Sequence, residues 1–380
     1  MLQRVGETVD PKDAVVKIKD ACFPAPFASE LEYNSPVHGN WNIVHTGMLV
    51  PEAIQIYVCA DNCMRGVVLT AAEMNAADRF SFVIVEEQHV LNGNLEDITI
   101  EGVTDVLNKR GDHPKAVLLF TVCLHHFVGS NLTYIYDELE RRFPDICFIR
   151  CYMDPIMQKH GLTPDQKLRK AMYDPLPECE ADEKTVSVFG SDFVLDESSD
   201  IKRLLRRYGY TVRELPACET WQDLLDMSKG RLFLDIYPAG KYGMETQARR
   251  LHRAHLYLPG SFDYEEIEQQ LKQLTDALGI PELSREKLDV ERSACEEVLA
   301  KAKALIGDMP ITLDYLYHPR PLGLAKLLLT HGFNVKAVYL DGISPEEKAA
   351  FDWLQEHAPE LELIATIQVK MRVLPRGGKE

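Results

Sequence analysis

The sequence of 380 residues has no long hydrophobic run. None of its apolar stretches approaches the ~20 residues that a membrane helix needs, and its start, MLQRVGETVDPKD, lacks the apolar core of a signal peptide. Low-complexity segments and repeats of solenoid length are also missing. We therefore expect a cytoplasmic protein with no membrane segment, whose length suits two or three globular domains.

The sequence also lacks the short motifs of the commonest enzyme classes. No GxGxxG follows a predicted strand, and GxxxxGK followed by Ser or Thr, HExxH and GxSxG are all absent. This excludes the usual phosphate-binding loops, the zinc-protease helix and the hydrolase nucleophile turn. Any chemistry must therefore come from other residues.

Positive charge is in short supply. Lys and Arg total 42 against 59 Asp and Glu, which gives a net charge of −17. An acidic chain repels phosphate backbones, so we expect no binding of nucleic acid. The short basic cluster Lys202–Arg207 lies on a predicted helix, where it indicates a solvated face. The acidity suits either solubility alone or a basic protein partner.

Short β-rich runs alternate with amphipathic helices along the whole chain. This order predicts βαβ units with parallel sheets, hence an α/β fold of three consecutive Rossmann-like domains. We place these domains at residues 1–183, 184–308 and 309–380, the third being short. The strands predicted for the first domain are Ile54–Val58, Phe80–Val85, Ala116–Thr121 and Cys147–Tyr152.

Later elements carry clearer boundary signals. A long helix is predicted over about Ser284–Ile306, and a strand over Ile311–Tyr317. The segment Ser344–Glu347, with sequence SPEE, has the pattern of a capping box with proline at the first helical position. It predicts a helix that runs to about His357.

The nine cysteines are an odd number in a chain with no export signal, which argues against a disulfide framework. Four of them lie in loops or at strand ends of the first predicted domain: Cys22, Cys59, Cys63 and Cys123. Ligands of open parallel sheets lie outside the carboxyl ends of the strands, and iron–sulfur clusters need thiolates held in such a pocket. We therefore predict an iron–sulfur site. Zinc held by Cys59, Cys63, His125 and His126 is the alternative.

The environments of Cys63, Cys147 and Cys151 can also be predicted. Cys63 stands where a helix should begin, and the positive end of that helix should give its thiol thiolate character. Cys147 and Cys151 face the same way on one predicted strand, which is typical of core residues.

Several segments resemble one known family, the nitrogenase component 1 family. Ile54–Cys63, with sequence IQIYVCADNC, resembles its strand, loop and second cluster cysteine, and Cys22 with the prolines after it resembles the first. Cys123 followed by Val128–Leu132 resembles the third cysteine segment. In the second domain, Val186–Gly190 and the helix after it resemble the family's strand and helix. The resemblance covers nearly the whole chain.

The resemblance implies a metal centre and two partners. In that family three cysteines per subunit hold a cluster between two similar subunits, which implies Cys22, Cys63 and Cys123 as ligands of an iron–sulfur cluster of the 4Fe-4S type. Cys59 is an additional thiol at that site. The implied partners are an identical or homologous subunit that shares the cluster and an ATP-dependent iron–sulfur reductase protein. The segment Leu232–Pro238, which matches the family's cofactor-anchoring strand, has no cysteine, so we expect no iron–molybdenum cofactor and no dinitrogen reduction.

The resulting expectation is an oxidoreductase, a nitrogenase-like reductase subunit that passes electrons to an unidentified substrate. No catalytic residue is assigned. Four histidines are candidates for proton donors near the cluster: His38, His45, His125 and His126. Two alternatives stay open, a non-catalytic scaffold for metallocofactor assembly and a metal-free binding protein of the same fold.

Overall fold

The computed structural model describes residues 14–27, 42–154 and 162–365. The described residues form twelve strands, which are, in chain order, β1 (Val15–Lys17), β2 (Ala53–Cys59), β3 (Phe80–Ile84), β4 (Ala116–Val122), β5 (Cys147–Met153), β6 (Asp182–Phe189), β7 (Thr211–Glu214), β8 (Gly230–Asp235), β9 (Ala254–Tyr257), β10 (Pro310–Asp314), β11 (Asn334–Tyr339) and β12 (Glu362–Ile364). They belong to three separate four-stranded sheets.

Helices connect most of these strands. They are, in chain order, α1 (Ile43–Met48), α2 (Asp61–Glu73), α3 (Glu87–Leu91), α4 (Leu95–Lys109), α5 (Cys123–Phe127), α6 (Leu132–Arg142), α7 (Pro164–Met172), α8 (Asp200–Arg207), α9 (Trp221–Asp226), α10 (Lys241–Arg250), α11 (Tyr264–Leu278), α12 (Arg285–Ile306), α13 (Pro321–Thr330) and α14 (Lys348–His357). The predicted α/β fold with parallel sheets is confirmed. In the part of the chain that the structure describes, no helix is both long and apolar enough to span a bilayer.

The first sheet has the strand order β3-β2-β4-β5, with every pair parallel. Every residue of β2 and β4 is buried, because connecting helices cover both faces of a parallel sheet. This double burial explains why these strands are continuous apolar runs in the sequence. In the core, the rings of Tyr57 on β2 and Phe120 on β4 stack with centroids 4.3 Å apart.

The second sheet repeats this topology with the order β7-β6-β8-β9, again with every pair parallel. Tyr173, Phe189 and Phe233 form a chain of edge-to-face ring contacts, with centroids 5.2–5.3 Å apart. The same hydrophobic cluster extends to residues of the first sheet, such as Tyr57 and Phe120. The first and second sheets therefore lie in one compact unit, within the segment 36–259.

The third sheet, with the order β1-β12-β11-β10, belongs to a second compact unit. This unit combines the described residues of segments 1–35 and 260–380. Its strands are parallel except β1, which pairs antiparallel with β12 so that Val15 lies opposite Ile364. The predicted domain boundaries at 183 and 308 stay a prediction, and the compact units divide the chain differently.

Two predicted local features are wrong. The capping box at Ser344–Glu347 does not form, because the Glu347 carboxylate instead accepts hydrogen bonds from the backbone N–H groups of Leu322 (2.6 Å) and Gly323 (2.9 Å) at the start of α13. The segment 345–347 is a 3₁₀ turn that leads into α14. The strand predicted over Ile311–Tyr317 ends at Asp314, whose carboxylate accepts a hydrogen bond from the Leu316 N–H and so starts a turn.

Candidate functional site

The carboxyl ends of β2 and β4 meet at one edge of the first sheet. The chain runs from β2 to β3 on one side and then to β4 on the other, so this edge is the topological switch point of the sheet, where open α/β sheets bind ligands. Cys59 is the last residue of β2, and Cys63 lies in the first turn of α2. Cys123 is the first residue of α5, directly after β4. The fold thus places three of the four candidate cysteines at one edge.

The three thiols differ in accessibility and protonation. Cys59 is fully buried, and burial raises the pKa of its thiol to about 12, with further increases from Cys63 and Asp61. Cys63 is exposed, yet the pKa of its thiol is also raised, by partial desolvation first and then by Cys123 and Asp61. These mutual effects indicate that the three thiols are electrostatic neighbours.

The predicted thiolate character of Cys63 is therefore wrong for the metal-free chain. Its backbone N–H donates to the carbonyl of Ala60, so this N–H does not point at its own thiol. The Asp61 carboxylate in the same helical turn further opposes ionisation. Only a cation at the thiol, such as a metal, would reverse this balance.

Cys22 stands in the other compact unit. It is exposed, in the loop after the short 3₁₀ helix Ile18–Asp20. Its loop is fixed by the core of that unit, since the Phe23 ring packs 5.7 Å from Phe351 and the carbonyl of Pro24 accepts a hydrogen bond from Ile343 N–H. Sequence reasoning had placed Cys22 in the same domain as the other three cysteines.

The set of donor atoms fits a thiolate-bound metal centre in part. Cys22, Cys63 and Cys123 are free thiols that are not fully buried, which suits ligands of an iron–sulfur cluster. However, no group of three or more His, Cys, Asp or Glu side chains among residues 14–27, 42–154 and 162–365 is close enough to hold a metal ion. The chain thus presents a pair of neighbouring accessible thiols, Cys63 and Cys123, rather than a closed site.

The structure separates the two neighbouring histidines of α5. His125 is 1% exposed; its Nδ1 accepts the Val122 N–H at 3.2 Å, and its Nε2 lies 3.2 Å from Thr99 Oγ1. Burial lowers the pKa of His125 to about 4, so the ring stays neutral with both nitrogens engaged. His125 is thus a structural residue, available neither to zinc nor as a proton donor. Of the other predicted donors, His45 is exposed on α1, and His38 lies outside the described residues.

His126 has a different environment. Its Nε2 lies 2.7 Å from Oδ2 of Asp154, a fully buried carboxylate directly after β5. This is a close contact between the imidazole and the carboxylate, but its geometry is not that of a hydrogen bond, because the buried Nε2 of His126 has no hydrogen-bond partner among the described residues. Because Cys123 and His126 are three residues apart on one helix, they lie on the same side of α5. Sequence reasoning missed Asp154, although its position after a central strand was the available signal.

A buried arginine holds the nearby loops together. Arg169 on α7 is 1% exposed and donates to Asp165 Oδ2 (3.1 Å), the carbonyl of Gly190 (2.8 Å) and Asp192 Oδ1 (2.6 Å). Thr46 Oγ1 on α1 donates to Asp165 Oδ1 at 2.8 Å. These bonds connect α1 and α7 to the loop after β6 on the second sheet. Nothing in the sequence pattern identified this group.

Asp235 ends β8 at the switch point of the second sheet, next to β6. It is fully buried, and burial raises the pKa of its carboxyl to about 7. Its Oδ1 accepts the Tyr237 N–H at 3.1 Å. Gly190, in the loop after β6, has φ 91°, and a Cβ at this position would overlap Asp235 Oδ1. Only glycine at position 190 therefore leaves room for the carboxyl. The strand end that has no cysteine therefore carries a buried acid.

Comparison with known proteins gives a family and a fold. A model of the family described as "Nitrogenase component 1 type Oxidoreductase" matches residues 76–373, a stretch that includes Cys123 and begins after Cys63. The structure titled "Nitrogenase Cp1 at pH 6.5" has a TM-score of 0.65 at 12% identity and covers 91% of this chain and 81% of that chain. "Nitrogenase Cp1 at pH 5" has a TM-score of 0.61 at 12% identity, with coverages of 95% and 82%. Such low identity carries the fold alone. A search of curated proteins finds no match.

Proposed function

The chain belongs to the nitrogenase component 1 type oxidoreductase family, and we propose that it is a reductase subunit with an iron–sulfur cluster at the edge of the first sheet. The observation that carries this proposal is the pair of neighbouring, accessible thiols Cys63 and Cys123 at the switch point between β2 and β4. Cys22 is the third proposed ligand, by resemblance to the family. The chain lies in the cytoplasm in this proposal.

The bound cluster, of the 4Fe-4S type, would supply one-electron transfer at a potential tuned by its surroundings. The chain's own residues have separate tasks. Cys63 and Cys123 hold the metal, and the buried thiol of Cys59 excludes water behind them. His126, three residues after Cys123 on α5 and in contact with the Asp154 carboxylate, is the proposed proton donor. The substrate is not identified.

Three ligands leave such a cluster open to completion by another chain. We therefore propose an identical or homologous subunit that shares the cluster and an ATP-dependent iron–sulfur protein that delivers the electrons. The chain has no GxxxxGKS/T loop of its own, which supports a separate source of nucleotide chemistry. The net charge of −17 favours a partner with a basic docking surface.

The second candidate function is a scaffold on which a metallocofactor is assembled and from which it leaves. The exposure of Cys63 favours this candidate, because a cluster held at an accessible thiol can be passed to another chain. Incubation of the loaded protein with an apo acceptor distinguishes the two. A scaffold loses iron to the acceptor, whereas a reductase keeps it and is oxidised and reduced in place.

The first test is anaerobic purification followed by iron, sulfide and absorbance analysis. We expect several iron atoms per chain and a visible charge-transfer band, most of which Cys63→Ala and Cys123→Ala remove. Cys295→Ala is the matched control, since this exposed cysteine lies on α12 in the other unit and should leave the spectrum unchanged. A colourless, iron-free wild type would contradict the cluster, and an unchanged spectrum in Cys63→Ala would remove this residue from the ligand set.

A further inference from the structure

Helix α12 is unusual because none of its residues is buried. It has 22 residues, which corresponds to a length of about 33 Å. Several large apolar side chains on it or just after it are mostly exposed: Val290 (64%), Val298 (64%), Leu305 (88%) and Met309 (65%). One exposed leucine is ordinary in a globular protein, but a row of them along a helix marks an interaction surface.

The exposed side chains form one stripe. Positions 290, 294, 298, 301 and 305 fall on the same side of a helix with 3.6 residues per turn, and they carry Val, Ala, Val, Lys and Leu. We call these five residues the α12 stripe. The lysine, Lys301, can lay its aliphatic stem along the stripe while its ammonium group stays in water.

The opposite side of α12 is already attached to its own unit. The Arg292 guanidinium lies 4.7 Å from the centre of the Tyr264 ring, and Glu296 Oε2 lies 3.0 Å from His331 Nε2. Lys303 lies 5.8 Å from the centre of the Phe333 ring. Three apolar residues that are only partly exposed lie on this attached side as well: Leu288, Leu299 and Ile306. Helix α12 therefore carries apolar side chains on two sides, one attached to its own unit and one free.

The charges along α12 indicate what covers the stripe. On the free side, Glu286, Lys287, Glu291 and Glu297 give the first part of the helix a net charge of −2, whereas Lys301 gives the later part +1. Two copies of the helix that pair antiparallel place each acidic part against a basic part. The two helix dipoles are also antiparallel in that arrangement, which is the favourable orientation. A parallel pair would instead put like charges together.

Charge also favours a second copy over a basic partner. The whole chain has a net charge of −17, so most contacts between two copies are repulsive. Helix α12 as a whole is neutral, which makes it one of the places where two copies can approach. A strongly basic protein would find little there to bind.

We propose that the α12 stripe binds the α12 stripe of a second copy of this chain, with the two helices antiparallel about a two-fold axis near Val298. This isologous contact places Val290 of one copy against Leu305 of the other and brings the two Val298 side chains together. A single helix pair buries less than the ~800 Å² per partner of a standard interface, so the dimer dissociates on dilution.

Sedimentation velocity over a range of concentrations tests this proposal. The wild type should shift from monomer to dimer as its concentration rises, and Val298→Asp or Leu305→Asp should raise the dissociation constant at least tenfold. Leu91→Asp is the matched control, because Leu91 is 71% exposed at the end of α3 in the other unit. Far-UV circular dichroism and thermal melting confirm that each variant is folded, which is expected because these side chains are exposed.

Cross-linking tests the register. Val298→Cys should form a disulfide between two copies under mild oxidation, identified as a cross-linked peptide by mass spectrometry. Ala300→Cys, also exposed but on another side of α12, should not. Cys63→Ala should dimerise as the wild type does, which separates this contact from one that depends on a cluster. A chain that is monomeric at every concentration, or a dimer that tolerates both aspartate variants, would overturn the proposal.

Discussion

Asp235 should make the stability of the protein depend on pH in a direction opposite to that of ordinary acids. The pKa of its carboxyl is raised from 3.8 to about 7 because the group is buried at the end of β8. Well below pH 4 the carboxyl is protonated in both the folded and the unfolded chain, so it makes no pH-dependent contribution to stability. As pH rises, the unfolded chain releases the proton first, so stability falls until the folded group also ionises near pH 7.

The size of this effect follows from the two pKa values. A difference of about three units corresponds to about 4 kcal/mol at high pH, of which about 3 kcal/mol develops between pH 5 and pH 8. Asp235→Asn keeps the shape of the side chain and an oxygen for the Tyr237 N–H, but it cannot titrate. Between pH 5 and pH 8, the free energy of unfolding of the variant should therefore rise by about 3 kcal/mol relative to that of the wild type.

Urea unfolding of both proteins at pH 5 and pH 8 measures this difference. All other titrating groups are common to both proteins and cancel in the comparison. Asp196→Asn serves as the control, because Asp196 is exposed and hydrogen bonds from Ser198 lower the pKa of its carboxyl. The free energy of unfolding of this variant should not rise relative to that of the wild type between pH 5 and pH 8. If the wild type and Asp235→Asn respond identically to pH, the pKa of the Asp235 carboxyl is not raised by burial.

Two further predictions concern Arg169 and Cys59, which are both buried in the unit that contains the first two sheets. Arg169→Leu leaves the buried acids around it without a cation and should lower the free energy of unfolding by about 3–5 kcal/mol, measured with urea, whereas Arg249→Leu at an exposed site should change it by about 0.5 kcal/mol or less. An equal effect of both substitutions would contradict the role of Arg169. Iodoacetamide at pH 8 should modify Cys22 within the time in which Cys59 stays unmodified, because Cys59 is buried and the pKa of its thiol is about 12. Mass spectrometry of the digested protein gives both rates, and equal labelling would show that Cys59 is accessible.

Sequence patterns were sufficient for elements with strong periodicity. The strand predicted at Ala116–Thr121 is observed at Ala116–Val122, and the helix predicted over Ser284–Ile306 is observed at Arg285–Ile306. The three-residue strand Val15–Lys17 could not be predicted, because so short a run carries no period and its partner, β12, is near the other end of the chain. The rule that ligands gather at the carboxyl ends of parallel strands correctly placed Cys59, Cys63 and Cys123 at one edge.

The parts of the site that sequence reasoning missed are contacts between distant segments. Asp154 and His126 belong to different strand–helix pairs, and only the folded sheet brings them together. The SPEE segment at Ser344–Glu347 also shows that a contact with a distant segment can replace a predicted local one. It has the right residues for a local cap, but Glu347 gains more by accepting two N–H groups of α13. Local signals therefore predicted elements well and side-chain partners poorly.

The pairing of β1 with β12 sets the order in which the protein can be completed during synthesis. All strands of the first two sheets lie between these two in the chain, so their unit can fold as it leaves the ribosome. The other unit must wait, because β1 is made before all strands of the first two sheets and its partner β12 is made after them. The loop that carries Cys22 is held by side chains such as Phe351, which are also made late. A metal centre that needs Cys22 can therefore be inserted only after α14 and β12 have been made, and a chain truncated before α14 should not acquire it.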